Sequence, residues 1–145
     1  MDVAVTPAGA SSNVPRRPQV SPDGHWLAFI VTVSGRTEIH VRSTDPARSE
    51  EWPIATVAAG QASVRWAPAG NELYYVTHDS MMAVRVITSQ TFVAGAPRAL
   101  FATSGLMSRF EVARDGRFLM IRSRPDLRTP TELVMLERWT DLLPR

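Results

Sequence analysis

A chain of 145 residues, 44% apolar and 21% charged, is long enough for one domain with a buried core, and none of its apolar runs approaches the roughly 18 residues of a membrane-spanning helix. Its sixteen basic residues, all arginine, are interleaved with fourteen acids to give a net charge of +2, which argues against the one-sided basic face of a nucleic-acid binder. The absence of cysteine excludes disulfides and thiolate metal sites and leaves the compartment open.

The first residues, "MDVAVTPAGASS", carry an acid at position two and no long apolar block, so no secretory signal is expected there. Within this arm, residues 1–14, "DVAVT" (2–6) reads as a strand. "RPQVS" (17–21) is the next strand-like run, and it leads into the turn Ser21-Pro22-Asp23-Gly24. Proline pre-sets φ in such a turn, aspartate hydrogen-bonds its backbone, and glycine takes a positive φ at little cost. "WLAFIVTV" (26–33) follows, then "TEIHVRS" (37–43) and "WPIATVA" (52–58). The run 26–33 is almost continuously apolar and should be buried on both faces. The run 37–43 alternates, with Ile39 and Val41 set against His40 and Arg42, and should be buried on one.

The order then recurs. "ASVRWA" (62–67), a turn with Pro68 and Gly70, "ELYYVT" (72–77), "MMAVRVI" (81–87) and "RALFAT" (98–103) form a second set. "SRFEVA" (108–113), a turn with Asp115 and Gly116, "RFLMIRS" (117–123) and "TELVML" (131–136) form a third, in which no fourth run is evident. The turn glycines Gly24, Gly70 and Gly116 are spaced by 46 residues in both intervals. Only the tail "LERWTDLLPR" offers a short helical stripe, so helical solenoids are disfavoured. A β-sandwich of short strands has no reason to repeat at a constant interval. A period of about 40–50 residues holding four antiparallel strands is the signature of a β-propeller blade. The sequence therefore predicts an all-β chain of three four-stranded antiparallel blades, half of a six-bladed β-propeller. Blade 1 spans 15–60, blade 2 spans 61–106 and blade 3 spans 107–145. Residues 1–14 form an arm that completes a neighbouring blade.

"SPDGHWLAF" followed by "EIHVRS" resembles the TolB-like, WD-like propeller repeat, in which a Ser-Pro-Asp-Gly turn joins the first two strands of a blade. "NELYYVTHDSMMAVRVITSQTFVAGAPRALF" and "FEVARDGRFLMI" are similar to the C-terminal end of such propellers in large bacterial proteins, and the resemblance covers about residues 18–143. Ala69 stands where the second turn would carry aspartate, and Ala113-Arg114 where the third would carry Ser-Pro. The resemblance implies a six-bladed ring. It also implies an alternative parentage, as the propeller part of a larger enzyme: the sensor region of a bacterial Ser/Thr kinase, or the gate of a prolyl-oligopeptidase-like hydrolase. The chain has no lysine for a kinase site, no Gly-rich phosphate loop and no Gly-x-Ser-x-Gly elbow, so no catalysis is expected of it.

The remaining candidates for chemistry are few. His25, His40 and His78 lack metal-ligand spacing, so no metal and no cofactor is expected. His78-Asp79-Ser80 sets three catalytic residue types side by side, but neighbours in a hairpin loop cannot form a relay. Trp26, Trp52, Trp66 and Trp139 are read as core. Aligning the repeats on their glycines superposes Gln19, Arg65 and Glu111, each a polar residue in an otherwise apolar innermost strand. They either line a central channel as a binding ring or, for Arg65 and Glu111, pair across adjacent blades. Arg17 and Arg109 are also equivalent and would place positive charge at one channel mouth. Three blades leave two flanks bare. The expected function is thus a non-catalytic scaffold for protein, peptide or small-ligand binding, closed by homodimerisation of two half-propellers, with no nucleic acid and no membrane insertion.

Overall fold

The computed structural model describes residues 14–58, 62–89, 91–122 and 132–136, and every regular element among them is a β-strand. Strands β1 (Arg16–Val20), β2 (Trp26–Val33), β3 (Arg36–Ser43) and β4 (Glu51–Val57) form sheet 1 in that order. Sheet 2 contains β5 (Val64–Trp66), β6 (Glu72–Val76), β7 (Ser80–Ile87), β8 (Val93–Ala94) and β9 (Arg98–Ala102). Sheet 3 contains β10 (Leu106–Val112), β11 (Phe118–Arg122) and β12 (Glu132–Leu136). All pairings are antiparallel.

The expectation of four strands per unit is corrected in two places. Sheet 2 has five, because β7 is long enough for β9 to pair with its first half and the two-residue β8 with its last two residues. Two residues carry no alternation, so sequence patterning passes β8 over. Sheet 3 has three strands among the described residues. The arm strand 2–6 lies outside the described residues, as does all of the tail stripe except Leu136.

The three turns behave as their residues require. Gly24, Gly70 and Gly116 have φ of 79°, 73° and 84°, the left-handed region that an L side chain enters only with strain. Asp23 accepts from the backbone N–H of His25 and from the Ser21 hydroxyl, and Asp115 accepts from the N–H of Arg117. The second turn closes without an aspartate: Gly70 N–H donates to the Ala67 carbonyl at 2.8 Å.

Burial follows a period of two. In β3, Thr37, Ile39 and Val41 are buried while the residues between them are partly exposed. In sheet 2 both faces are buried, each by a different neighbour. Val64, Trp66, Leu73, Tyr75, Val84 and Val86 join Trp26, Ala28, Ile30, Ile39 and Val41 of sheet 1 in one core. Tyr74, Val76, Met81 and Ala83 join Phe110, Phe118 and Met120 of sheet 3 in a second. The sheets are thus stacked face to face in chain order, and β5 touches β1 on one side and β10 on the other.

Sheet 3 also departs from the repeat in register. In sheets 1 and 2 the hairpin closes with Ser21 N–H to Trp26 O and Ala67 N–H to Glu72 O. In sheet 3 it closes one residue earlier, with Ala113 N–H to Arg117 O. Gln19 therefore pairs with Ala28 and Arg65 with Tyr74, but Glu111 pairs with Leu119 where the repeat interval points to Met120. A slip of one residue turns every side chain to the other face. Phe118 and Met120 consequently face sheet 2 and are fully buried. Leu119 and Ile121, whose equivalents in sheet 2 are the inward Leu73 and Tyr75, point away from it and are half-buried.

Candidate binding groove

The first strand of each sheet, β1, β5 and β10, meets its neighbour at the junction of the stack. Residues at matching positions of the three repeats build a groove of about 310 Å³ there. Its wall is apolar, from Val20, Trp66 and Val112, and its rim is Pro22, Pro68 and Arg114. Gln19 and Arg65 supply polar atoms below the rim. The turns are packed together on one side: a Cβ on Gly70 would lie 3.6 Å from the Pro22 ring.

The five residues singled out from sequence separate into two groups. Arg65 and Glu111 come together as a two-pronged pair, with Nε to Oε2 at 2.9 Å and Nη2 to Oε1 at 2.6 Å, tying β5 to β10 across 46 residues. The hydrogen bonds from Arg65 hold the Glu111 carboxyl below the usual carboxylate range against the opposing effect of burial, and the Arg65 charge adds to the lowering. Gln19 does not join them. Its side-chain amide donates to the Pro18 carbonyl, and its own backbone carbonyl accepts from Trp66 Nε1 at 3.0 Å, a bond that ties β1 to β5. The superposed triad is therefore one ion pair and one backbone anchor.

Arg17 lies at the end of β1 away from its turn, and Arg109 in the middle of β10. Both sit within irregular stretches of pairing, Arg16–Gln19 and Leu106–Phe110, where a bulge re-aims side chains. Arg17 takes a φ of 51°, and its guanidinium donates to the Ala62 carbonyl at 2.7 Å beside a small cavity of about 70 Å³. Arg109 is exposed and does not reach that cavity.

Sequence reasoning missed Arg114. The signal was present, since Arg114 occupies the position that Pro22 and Pro68 hold in the other repeats. It appeared as a blemish in a turn motif when it was a cation placed on a rim. Ser21, Pro22, Asp23, Gly24, Pro68, Gly70, Asp115 and Gly116 act as turn residues, and two of them, Pro22 and Pro68, also line the groove.

The polar side chains of the groove are an amide and two guanidiniums, which offer hydrogen bonds and positive charge to a ligand. No group of three His, Asp or Glu side chains among the described residues can hold a metal ion. His40 illustrates why: Glu51 contacts its Nδ1 and Glu38 its Nε2, on opposite sides of the ring. His78, Asp79 and Ser80 form a hairpin turn closed by Thr77 N–H to Ser80 O. Comparison with protein-family models gives no match, and comparison with curated proteins gives none either.

Proposed function

We propose that this chain is a non-catalytic β-propeller scaffold of the TolB-like type that binds a protein, peptide or small ligand at the inner end of its stacked sheets. One observation carries the reading. Three antiparallel sheets, marked by turns 46 residues apart, stack in chain order with their first strands side by side. That is how blades stand around an axis, and the first strands line the axis.

The ring is closed by a second copy, two sets of three blades making six. Supporting this, the side of sheet 3 turned away from sheet 2 carries half-buried Leu119 and Ile121 and the 43% exposed Met135, apolar surface of the kind a neighbouring sheet covers. In this arrangement the arm 1–14 completes the adjoining blade of the partner. Light scattering on the full chain at micromolar concentration tests the closure. A particle of twice the chain mass is expected, and a monomer overturns it.

A further inference from the structure

Among the described residues, one charge of the groove has no partner. Arg65 is neutralised by Glu111, and Trp66 Nε1 is committed to the Gln19 carbonyl. Arg114 is exposed on the rim and has no hydrogen bond or ion pair among the described residues. Where the first two repeats place a proline, the third places a guanidinium, beside a wall made by Val20, Trp66 and Val112. Val20 is 58% exposed although it is apolar. The net charge of Arg65, Glu111 and Arg114 together is positive by one, and the uncharged lining residues are apolar except for Gln19. A ligand complementary to it bears one anionic group next to an apolar side chain, and a volume of about 310 Å³ takes two or three residues of a peptide.

We infer that the groove is a peptide site in which Arg114 pairs with a carboxylate while the adjacent apolar side chain rests on Val20, Trp66 and Val112. This deepens the scaffold reading proposed above and rests on it. A guanidinium presents parallel N–H donors that match the two oxygens of a carboxylate, so the contact is directional. The carboxylate has two sources, a chain end or an Asp or Glu side chain, and the chemistry at Arg114 is the same for both.

The test uses the full chain and three probes in calorimetric titration: N-acetyl-Ala-Ala-Leu as the free acid, the same peptide as its C-terminal amide, and N-acetyl-Ala-Glu-Leu amide. The variant Arg114→Pro restores the residue that the other two turns carry, so the turn keeps a side chain it accommodates, and Arg114→Lys keeps the charge without the fork. The free acid is expected to bind the wild-type chain, with the amide and the Arg114→Pro variant each weaker by about tenfold, the worth of one charge-assisted bond. Arg114→Lys should fall between. Binding of the internal-glutamate peptide as tight as the free acid assigns the site to acidic side chains, and weaker binding assigns it to chain ends. Equal binding of acid and amide, indifference to Arg114→Pro, or no binding of either carboxylate peptide below about 1 mM overturns the inference. The particle mass judges the ring and these titrations judge the groove, so one can fail while the other stands.

Discussion

Sheet 2 is covered on both faces, and the two interfaces are made differently. Toward sheet 1, Phe92 meets Trp26 at 5.3 Å and Trp52 at 5.4 Å, and two indole N–H groups reach backbone carbonyls across the interface, Trp66 to Gln19 and Trp26 to Thr88. Toward sheet 3, one ring is the hub: Phe118 meets Tyr74 at 4.9 Å and Phe101 at 5.6 Å, both edge to face, with Phe110 at 6.1 Å. The first interface follows the repeat register, and the second depends on the one-residue slip that turns Phe118 inward. The turns differ in the same sense. A Cβ on Gly70 would meet the Pro22 ring at 3.6 Å across the first interface, while a Cβ on Gly116 would meet nothing within 4 Å. The lesson is that a constant repeat interval fixes where strands recur. The length of each hairpin closure then decides which face of the strand is the buried one.

The largest effect is expected where the slip is decisive. Phe118→Ala should destabilise the chain by about 3–5 kcal/mol in urea unfolding, because the ring is fully buried at the centre of an aromatic cluster. Leu119→Ala, half-buried within its own chain on the side that the proposed second copy covers, should cost less, about 1–3 kcal/mol. A larger loss at Leu119 than at Phe118 would mean that β11 takes the register of the other two sheets.

The two tyrosines of the chain report on one interface each, Tyr75 facing sheet 1 and Tyr74 facing sheet 3. Burial pushes both hydroxyls above the ordinary tyrosine range, and at Tyr74 the hydrogen bond donated to Glu72 adds to it. A raised value in the folded state means that this stability is present in full below the ordinary range and is lost as pH rises. Tyrosinate absorbance should therefore appear at higher pH in the folded chain than in the chain unfolded by urea. Tyr74→Phe should move the midpoint of alkaline unfolding upward, and tyrosinate forming at the same pH in the folded and the urea-unfolded chain would contradict the burial of these rings.

Smaller effects are expected at the turns. Gly70→Ala and Gly116→Ala should each cost about 1–2 kcal/mol for forcing a side chain into the left-handed region. The contact with Pro22 lies at ordinary van der Waals distance, so the two losses should be similar. A much greater loss at Gly70 would show that the turns of sheets 1 and 2 are packed more tightly than those of sheets 2 and 3. Smallest is the ion pair between β5 and β10. The Glu111 side chain is 65% exposed, so Glu111→Gln should cost under about 1 kcal/mol. Because its carboxyl is held low by Arg65, the contribution is present above the ordinary carboxylate range and fades as pH falls. The variant should accordingly differ from wild type at neutral pH and converge with it in acid.

Much of the framework is legible in the amino-acid order. The run 26–33 is β2 to the residue, the alternation of Ile39 and Val41 is the buried stripe of β3, and the three turn glycines have the positive φ their positions ask for. These features depend on side-chain period and on backbone freedom, which are local. The pairing of Arg65 with Glu111 was visible as one of two readings, because residues one repeat apart on adjacent strands fall side by side.

What the order of residues did not settle is which of two equally apolar faces is turned inward. In β11, Phe118 and Met120 on one side and Leu119 and Ile121 on the other are all apolar, so local pattern favours neither. The choice was made by a hairpin that closes one residue short and by the ring cluster waiting on sheet 2. The groove was likewise hidden, since Val20, Trp66, Val112 and Arg114 acquire a common purpose only when the first strands of three sheets are brought to one place. Sequence alone determined strands, turns and their interval, because each of those answers to its nearest neighbours along the chain. Tertiary structure decided register, core membership and the groove, because those are set by competition among surfaces far apart in the chain.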